Sequence, residues 1–202
     1  NTEDFVPIAG INEPFKAQDF DLMIQQDTSL YRVYNLTERI DQGARTSYFH
    51  HSLGGYHGAK LRNYQDIIDR HISIGNMNVI NMLNAKYIIV LDQNNEPIVQ
   101  QNTNALGNVW FIDNISWVEN ANQAMDVLTN VNPKKTAIID VKYQEIIPND
   151  QLVSQGSINL TSYSPNKIIY NVNSEENGLA VFSEIFYPKG WQAYIDGVAV
   201  HH

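Results

Sequence analysis

The stretch "NVINMLNAKYIIVL", residues 78–91, sets the fold class because a helical pattern runs directly into an extended one. Val79, Ile80 and Leu83 follow the spacing of one apolar helix face. The run "KYIIVL" that follows is almost continuously apolar, which is typical of a strand buried on both sides. A helix that leads straight into such a strand predicts mixed α/β structure.

Similar patterns precede this stretch. "DFDLMIQQD" predicts a short helix that buries Phe20, Met23 and Ile24, and the strand "YRVYNL" comes after it. Residues 62–72, "RNYQDIIDRHI", have the spacing of an amphipathic helix. On the polar face of that helix, Asp66 would pair with Arg70 at the i, i+4 spacing.

The pattern changes along the C-terminal part of the chain. "NVWFI", "ENANQAMDVLTN" and "KTAIIDV" predict a strand–helix–strand unit. From Ile147 onward no helical period remains, and "GSINLTSYS", "KIIYNVNS", "GLAVFSEIFY" and "WQAYID" predict strands joined by turns. We therefore predict an α+β fold, with a mixed α/β domain at residues 1–147 and an antiparallel, sandwich-like β domain at residues 148–200.

The last hairpin suggests that this β domain is incomplete. Asp196-Gly197 predicts a type I′ turn, but its return strand holds only residues 198–200. His201 and His202 resemble the remnant of a purification tag. We therefore expect a truncated β domain in an excised segment.

Composition excludes several classes of function. The chain has 22 acidic and 13 basic residues, a formal net charge of −9, and no Lys/Arg run, so it lacks the basic stripe that nucleic-acid binding requires. It has 0 cysteines, which excludes a disulfide scaffold, a thiolate zinc site and a cysteine nucleophile. The sequence also has no apolar window of about 18 residues and no signal peptide.

The segment "SYFHHSLGGYHGAKLRNYQD", residues 47–66, concentrates the chemistry of the chain. Its His50, His51 and His57 cannot share one helical face, and its glycines lack the spacing of a phosphate-binding loop. Three interpretations stay open. The segment could be a packed turn before a helix, a ligand-contacting loop, or the centre of a metal-dependent hydrolase that adds Asp66 to the histidines.

The ligand-contacting interpretation names specific residues. The loop would present aromatic, imidazole and cationic side chains toward one surface, and the β-rich half could add a sugar-stacking ring. A tryptophan in a strand pattern is nevertheless more often part of the core. No catalytic set, metal site or cofactor site follows from the spacing. The candidate ligand-binding residues are Tyr56, His57, Lys60, Arg62 and Trp191.

Four motifs in this order carry a family resemblance: "SYFHHSLGGYHGAKLRNYQDIID", "NMLNAKYIIV", "NALGNVWFI" and "SEIFYPKGWQAYIDG". Together they resemble the C-terminal extracytoplasmic region of the YfhO-like bacterial membrane proteins, particularly those of Bacteroidetes. The resemblance implies that the segment belongs to a large polytopic membrane protein, similar to the glycosyltransferases that use lipid-linked sugars. Members of the family are implicated in glycosylating cell-envelope polymers. The catalytic carboxylates of such enzymes are expected in loops near the membrane helices, so no catalytic residue carries over to this chain.

These observations lead to ranked hypotheses. The first is a non-catalytic domain on the periplasmic side of the inner membrane, anchored through the membrane-embedded remainder of the same polypeptide. It would position a cell-envelope glycan acceptor or pack over the membrane active site. The alternatives are a carbohydrate-binding module that uses Trp191 and Tyr194, and the histidine-based hydrolase.

Overall fold

The computed structural model describes residues 15–147 and 156–201, and it has the mixed α+β composition that the sequence predicts. Helices dominate the first half of the described chain, while short strands make up most of the second half. None of the helices in these ranges is long and apolar enough to cross a membrane.

The N-terminal half is built around a three-stranded sheet of order β1-β2-β3. Strand β1 (Arg32–Asn35) runs parallel to β2 (Ala85–Leu91), and β2 forms an antiparallel hairpin with β3 (Pro97–Gln101). The predicted burial of β2 on both faces is wrong at the C-terminal end of the strand, where Leu91 is 50% exposed. The hairpin partner β3, which the sequence analysis missed, leaves that end near solvent.

Four short α-helices and one π-helical turn pack around this sheet. Asp21 and Ile24 are the buried residues of the first helix, whereas Met23 is 49% exposed, so its predicted burial is wrong. The helix has only seven residues, and its apolar face is too narrow to include Met23. The helices are α1 (Asp19–Gln25), α2 (Arg45–Phe49), α3 (Arg62–Ile67) and α4 (Met77–Met82), with the π-helical turn at Ile68–Ile72.

The helices cover both faces of the sheet. One core cluster holds Ile68, Ile72 and Ile80 against Ala85 of β2. The other cluster packs Ile24 of α1 against the opposite face of β1 and β2. Alternate residues of β1 point into the two clusters, as the period of a strand requires. The result is a helix–sheet–helix sandwich.

The π-helical turn changes the ion pair that the sequence predicts. Arg70 contacts Asp126 on a distant helix instead of Asp66, and Asp69 accepts a hydrogen bond from Gln65 at 2.8 Å. The wider winding of the π-turn removes the i, i+4 geometry on which the predicted pair depends.

A parallel strand–helix–strand unit follows, with a different first strand from the predicted one. Strand β5 (Asn114–Val118), α5 (Ala121–Leu128) and β6 (Thr136–Asp140) form it. Strand β4 (Val109–Ile112), which was predicted to begin the unit, instead pairs with a strand from the end of the chain. The short segment "NISWV" could not be distinguished from a loop by its pattern.

The described C-terminal part of the chain contains two antiparallel hairpins, as predicted, but they are separate two-stranded sheets, and a third strand pairs with β4 instead. The turn of the last hairpin has positive φ at both Asp196 (49°) and Gly197 (82°), which confirms the type I′ turn. The predicted domain boundary near residue 148 lies outside the described residues. The strands are β7 (Ser157–Ser164), β8 (Lys167–Asn173), β9 (Leu179–Phe182), β10 (Ala193–Ile195) and β11 (Val198–Val200).

The two halves share a sheet. Strand β9 pairs antiparallel with β4, so residues from both sides of the predicted boundary lie in one ladder. Directly after β9, Ser183 is buried against the N-terminal half, and its backbone N–H donates to the carbonyl of Asn108 at 2.9 Å.

Candidate functional site

The His/Gly segment packs along β1 as an extra extended stretch. The N–H of Val33 donates to the carbonyl of His51 at 2.8 Å, and the N–H of Leu53 donates to the carbonyl of Val33 at 3.0 Å. Position 54 requires glycine because the Ile40 backbone lies very close to it: a Cβ on Gly54 would be 2.4 Å from the Ile40 carbonyl oxygen. The first half of the segment is therefore part of the fold.

The three histidines of the segment have separate surroundings. The Nε2 of His50 lies 2.9 Å from Asp21 Oδ1 in the protein interior, while the ring of His51 meets Tyr163 edge to face at 6.2 Å. His57 is exposed, and its Nδ1 accepts from the N–H of Ala59 at 3.1 Å. Within residues 15–147 and 156–201, no group of three His, Asp or Glu side chains could hold a metal ion.

The Asp21 contact stabilises the fold. Burial raises the pKa of Asp21, but hydrogen bonds from Arg45, the Gln18 backbone and His50 outweigh it, so the pKa lies below its usual value. The Arg45 guanidinium also lies 5.0 Å from the centre of the Phe49 ring. This buried cluster ties α1 to α2 and offers no surface to a ligand.

The predicted ligand-binding residues have different surroundings. Tyr56 is 78% exposed, and His57 and Arg62 are also exposed. Lys60 is partly buried and close enough to Asp41 to act on its charge. Trp191 directly follows a turn at residues 188–190, and its indole Nε1 donates to the Ile185 carbonyl at 3.1 Å.

A concave surface lies beside this loop. It is an open groove of about 280 Å³, formed mainly by the segment that follows β1. We call it the β1 groove. Its lining residues are Tyr34, Asn35, Leu36, Glu38, Arg39, Ile40, Asp41 and Ser73.

Charged side chains at the β1 groove hold one another in place. The Arg39 guanidinium donates to both carboxylate oxygens of Asp41, at 3.3 Å and 3.1 Å. Hydrogen bonding from Arg39, aided by the positive charge of Lys60, lowers the pKa of Asp41. Glu38 accepts from the N–H of Thr46 at 3.2 Å.

This arrangement suits recognition of a polyhydroxylated molecule. Carboxylate and guanidinium groups can each exchange hydrogen bonds with neighbouring hydroxyls. The groove volume is slightly below the usual range of about 300–1,000 Å³ for ligand pockets. The groove was not predicted from the sequence, although "NLTERIDQGAR", at the end of a predicted strand, shows the polar composition of a binding loop.

A second, smaller cleft lies between the two halves. It measures about 30 Å³, and we call it the inter-half cleft. Arg32 and Glu184 form an ion pair of 3.2 Å at its edge. Its polar lining residues are Arg32, His51, Asn84, Asn108, Tyr163 and Glu184.

The chain was also compared with known proteins. No family model, curated protein or solved structure matches it.

Proposed function

We propose that the chain is a non-catalytic extracytoplasmic domain of a polytopic membrane protein that resembles glycosyltransferases using lipid-linked sugars. Its role is to hold a cell-envelope glycan acceptor at the β1 groove near the membrane active site. The family resemblance of the quoted motifs motivates the setting on the periplasmic side of the membrane. The composition of the β1 groove is the single structural observation that carries the binding role.

The charges at the groove support contact with a glycan instead of its hydrolysis. A glycosidase needs a carboxylic acid whose raised pKa keeps it protonated near neutral pH. At the groove, Asp41 has a lowered pKa because Arg39 donates hydrogen bonds to it. Every carboxyl group with a displaced pKa in the described chain is shifted the same way: Asp21, Asp27, Asp41, Asp92 and Asp140.

The exposed apolar side chains of the final hairpin support a partner on that side. Tyr194, Ile195 and Val198 are 63%, 65% and 67% exposed. A hairpin with such exposed residues is marginal by itself and gains stability from a covering surface. In this proposal the covering surface belongs to the membrane-embedded remainder of the same polypeptide.

A carbohydrate-binding module is the second candidate, favoured by the same groove. It differs from the first in needing no membrane partner. The hydrolase receives no support, because His50, His51 and His57 lie in separate environments without a shared set of metal ligands.

Topology mapping of the full-length protein tests the setting. Reporter fusions or cysteine labels at exposed positions of this segment should report the periplasmic side. A cytoplasmic location would overturn the proposed setting but leave glycan binding open. The binding role is tested separately, by titrating cell-envelope oligosaccharides into the purified protein and into its Arg39→Ala and Asp41→Asn variants.

A further inference from the structure

The inter-half cleft has a neutral rim. The η1 nitrogen of Arg32 donates to the carbonyl of Leu83 at 3.0 Å and to Ser183 at the carbonyl (2.6 Å) and Oγ (3.1 Å). Its η2 nitrogen donates to Glu184 at 3.2 Å. The guanidinium is thus committed to these partners, and its charge is compensated by the carboxylate of Glu184.

Other polar ends at the cleft are not used by the protein. The Asn84 amide donates to Asn108 Oδ1 at 2.9 Å, which leaves the Asn108 amide nitrogen available. Among the residues that the structure describes, the Tyr163 hydroxyl and the His51 ring nitrogens also make no hydrogen bond, although their rings touch. His51, Asn108 and Tyr163 therefore line one small space with unused donors and acceptors, and His51 and Tyr163 are also exposed to solvent.

The size of this space limits what it can hold. A water molecule needs about 10–15 Å³ of such volume and two to four polar partners. The cleft, at about 30 Å³, has room for one or two non-hydrogen atoms. That is the size of a hydroxyl or hydroxymethyl group and is far too small for a sugar ring.

Another hydroxyl without a partner belongs to Tyr170, which is not among the residues that line the cleft. It is buried and has no hydrogen-bond partner within the described ranges. Burial and the Glu184 carboxylate raise the pKa of Tyr170 to about 12, with the Arg32 charge opposing them. The Tyr170 hydroxyl is therefore neutral, and both charges of the ion pair act on it.

We infer that the inter-half cleft binds a single uncharged hydroxyl or hydroxymethyl group through His51, Asn108 and Tyr163. The compensated Arg32–Glu184 pair disfavours an anion, because the guanidinium is already occupied and the carboxylate would repel it. This site uses none of the residues of the β1 groove. Its occupancy can thus be tested independently of the proposed function.

The test is a titration of the purified protein followed by side-chain NMR of the His51 and Tyr163 rings. The probes are 1,2-ethanediol and glycolate, which differ in that one hydroxymethyl group becomes a carboxylate. We expect a saturable shift of both rings with the diol and a midpoint at least threefold higher with glycolate. A strictly linear response to the diol, or tighter binding of glycolate, would overturn the inference.

Two matched variants identify the site. Tyr163→Phe, read at the His51 ring, should raise the diol midpoint about three- to tenfold, which corresponds to one lost hydrogen bond. Tyr194→Phe removes a hydroxyl from an exposed ring of the final hairpin and should leave the midpoint unchanged. Equal effects of both variants would contradict the site.

Arg39→Ala should alter only ligand binding at the β1 groove. Loss of binding at the groove can therefore be distinguished from loss of binding at the inter-half cleft.

Discussion

The Arg32 guanidinium donates to the Ser183 carbonyl at 2.6 Å, across 151 positions of sequence. The Ser183 hydroxyl accepts a second bond from Arg32 and donates to the Met82 carbonyl at 2.9 Å. Glu184 pairs with the same guanidinium, so the consecutive residues Ser183 and Glu184 anchor the C-terminal half to the N-terminal sheet.

Removing this anchor should lower the free energy of unfolding. We expect Arg32→Met to lower the free energy of unfolding by about 2–3 kcal/mol, because Glu184 and two carbonyls lose a charged donor. Ser183→Ala should cost about 1 kcal/mol. Urea unfolding followed by fluorescence measures both.

Arg39→Met is the matched control for the anchor. Its exposed ion pair with Asp41 should contribute less than about 1 kcal/mol. If Arg32→Met is no more destabilising than Arg39→Met, the anchoring role of Arg32 is wrong.

Two glycines of the His/Gly segment, Gly54 and Gly58, give a second prediction. Gly54→Ala should lower the free energy of unfolding by about 1–3 kcal/mol, since the added Cβ would lie 2.4 Å from the Ile40 carbonyl oxygen. Gly58→Ala should be nearly neutral, because no atom lies within 4 Å of its Cβ position. Thermal unfolding of the two variants side by side checks this, and equal losses would contradict the packed arrangement.

The buried Asp21 cluster predicts a loss of stability in acid. The folded-state pKa of Asp21 is lowered, so its contribution is present above the unfolded value of about 3.8 and is lost as pH falls through the folded pKa. Asp21→Asn should cost about 3 kcal/mol at neutral pH by leaving Arg45 underpaired. In the variant, the loss of stability below about pH 4 should be smaller. Unfolding titrations from pH 2 to pH 7 make the comparison, and an unchanged acid limb would count against the cluster.

His71 predicts a second pH dependence, in a higher range. Burial lowers its pKa; the Arg70 charge adds to this, and the Met125 carbonyl opposes it. Its Nδ1 faces the Asn76 amide nitrogen at 3.2 Å, and the Asn76 Oδ1 caps α4 by accepting from the N–H of Asn78. Since the neutral ring is the folded form, stability should be complete above about pH 6.5 and fall as pH drops toward the folded pKa.

His71→Gln retains a polar side chain without this titration, so its stability should be flatter between about pH 6.5 and pH 5 than that of the native chain. The exposed His57 provides the control, because His57→Gln should preserve the native pH dependence. Identical profiles for native protein and His71→Gln would remove His71 as the cause.

The sequence predicts elements better than it predicts partners. Val79, Ile80 and Leu83 do form one buried helix face, because local periodicity encodes burial. The pairing of β9 with β4 depends instead on contacts distant in sequence, which no local pattern encodes. The same holds for the π-turn that redirects Arg70 to Asp126.

The candidate site shows the same division. Residue type was the basis for predicting Tyr56, His57, Lys60 and Arg62 as ligand-binding residues. Of these four, only Lys60 acts on a charge at the β1 groove. The groove arises from the path of the chain after β1. A local pattern could suggest a polar loop there but could not show that it encloses a concave surface.

The most direct test of the glycan-binding role is calorimetric titration of oligosaccharide fractions, released from bacterial cell-envelope polymers, into four proteins: the native chain, Arg39→Ala, Asp41→Asn and Arg70→Ala. Arg70 is the matched control, since it also forms an exposed ion pair but lies away from the groove lining. We predict saturable binding of at least one fraction to the native protein and to Arg70→Ala, weakened about tenfold or more in Arg39→Ala and Asp41→Asn. Absence of saturable binding to the native protein with every fraction, or equal weakening by Arg70→Ala, would contradict the account.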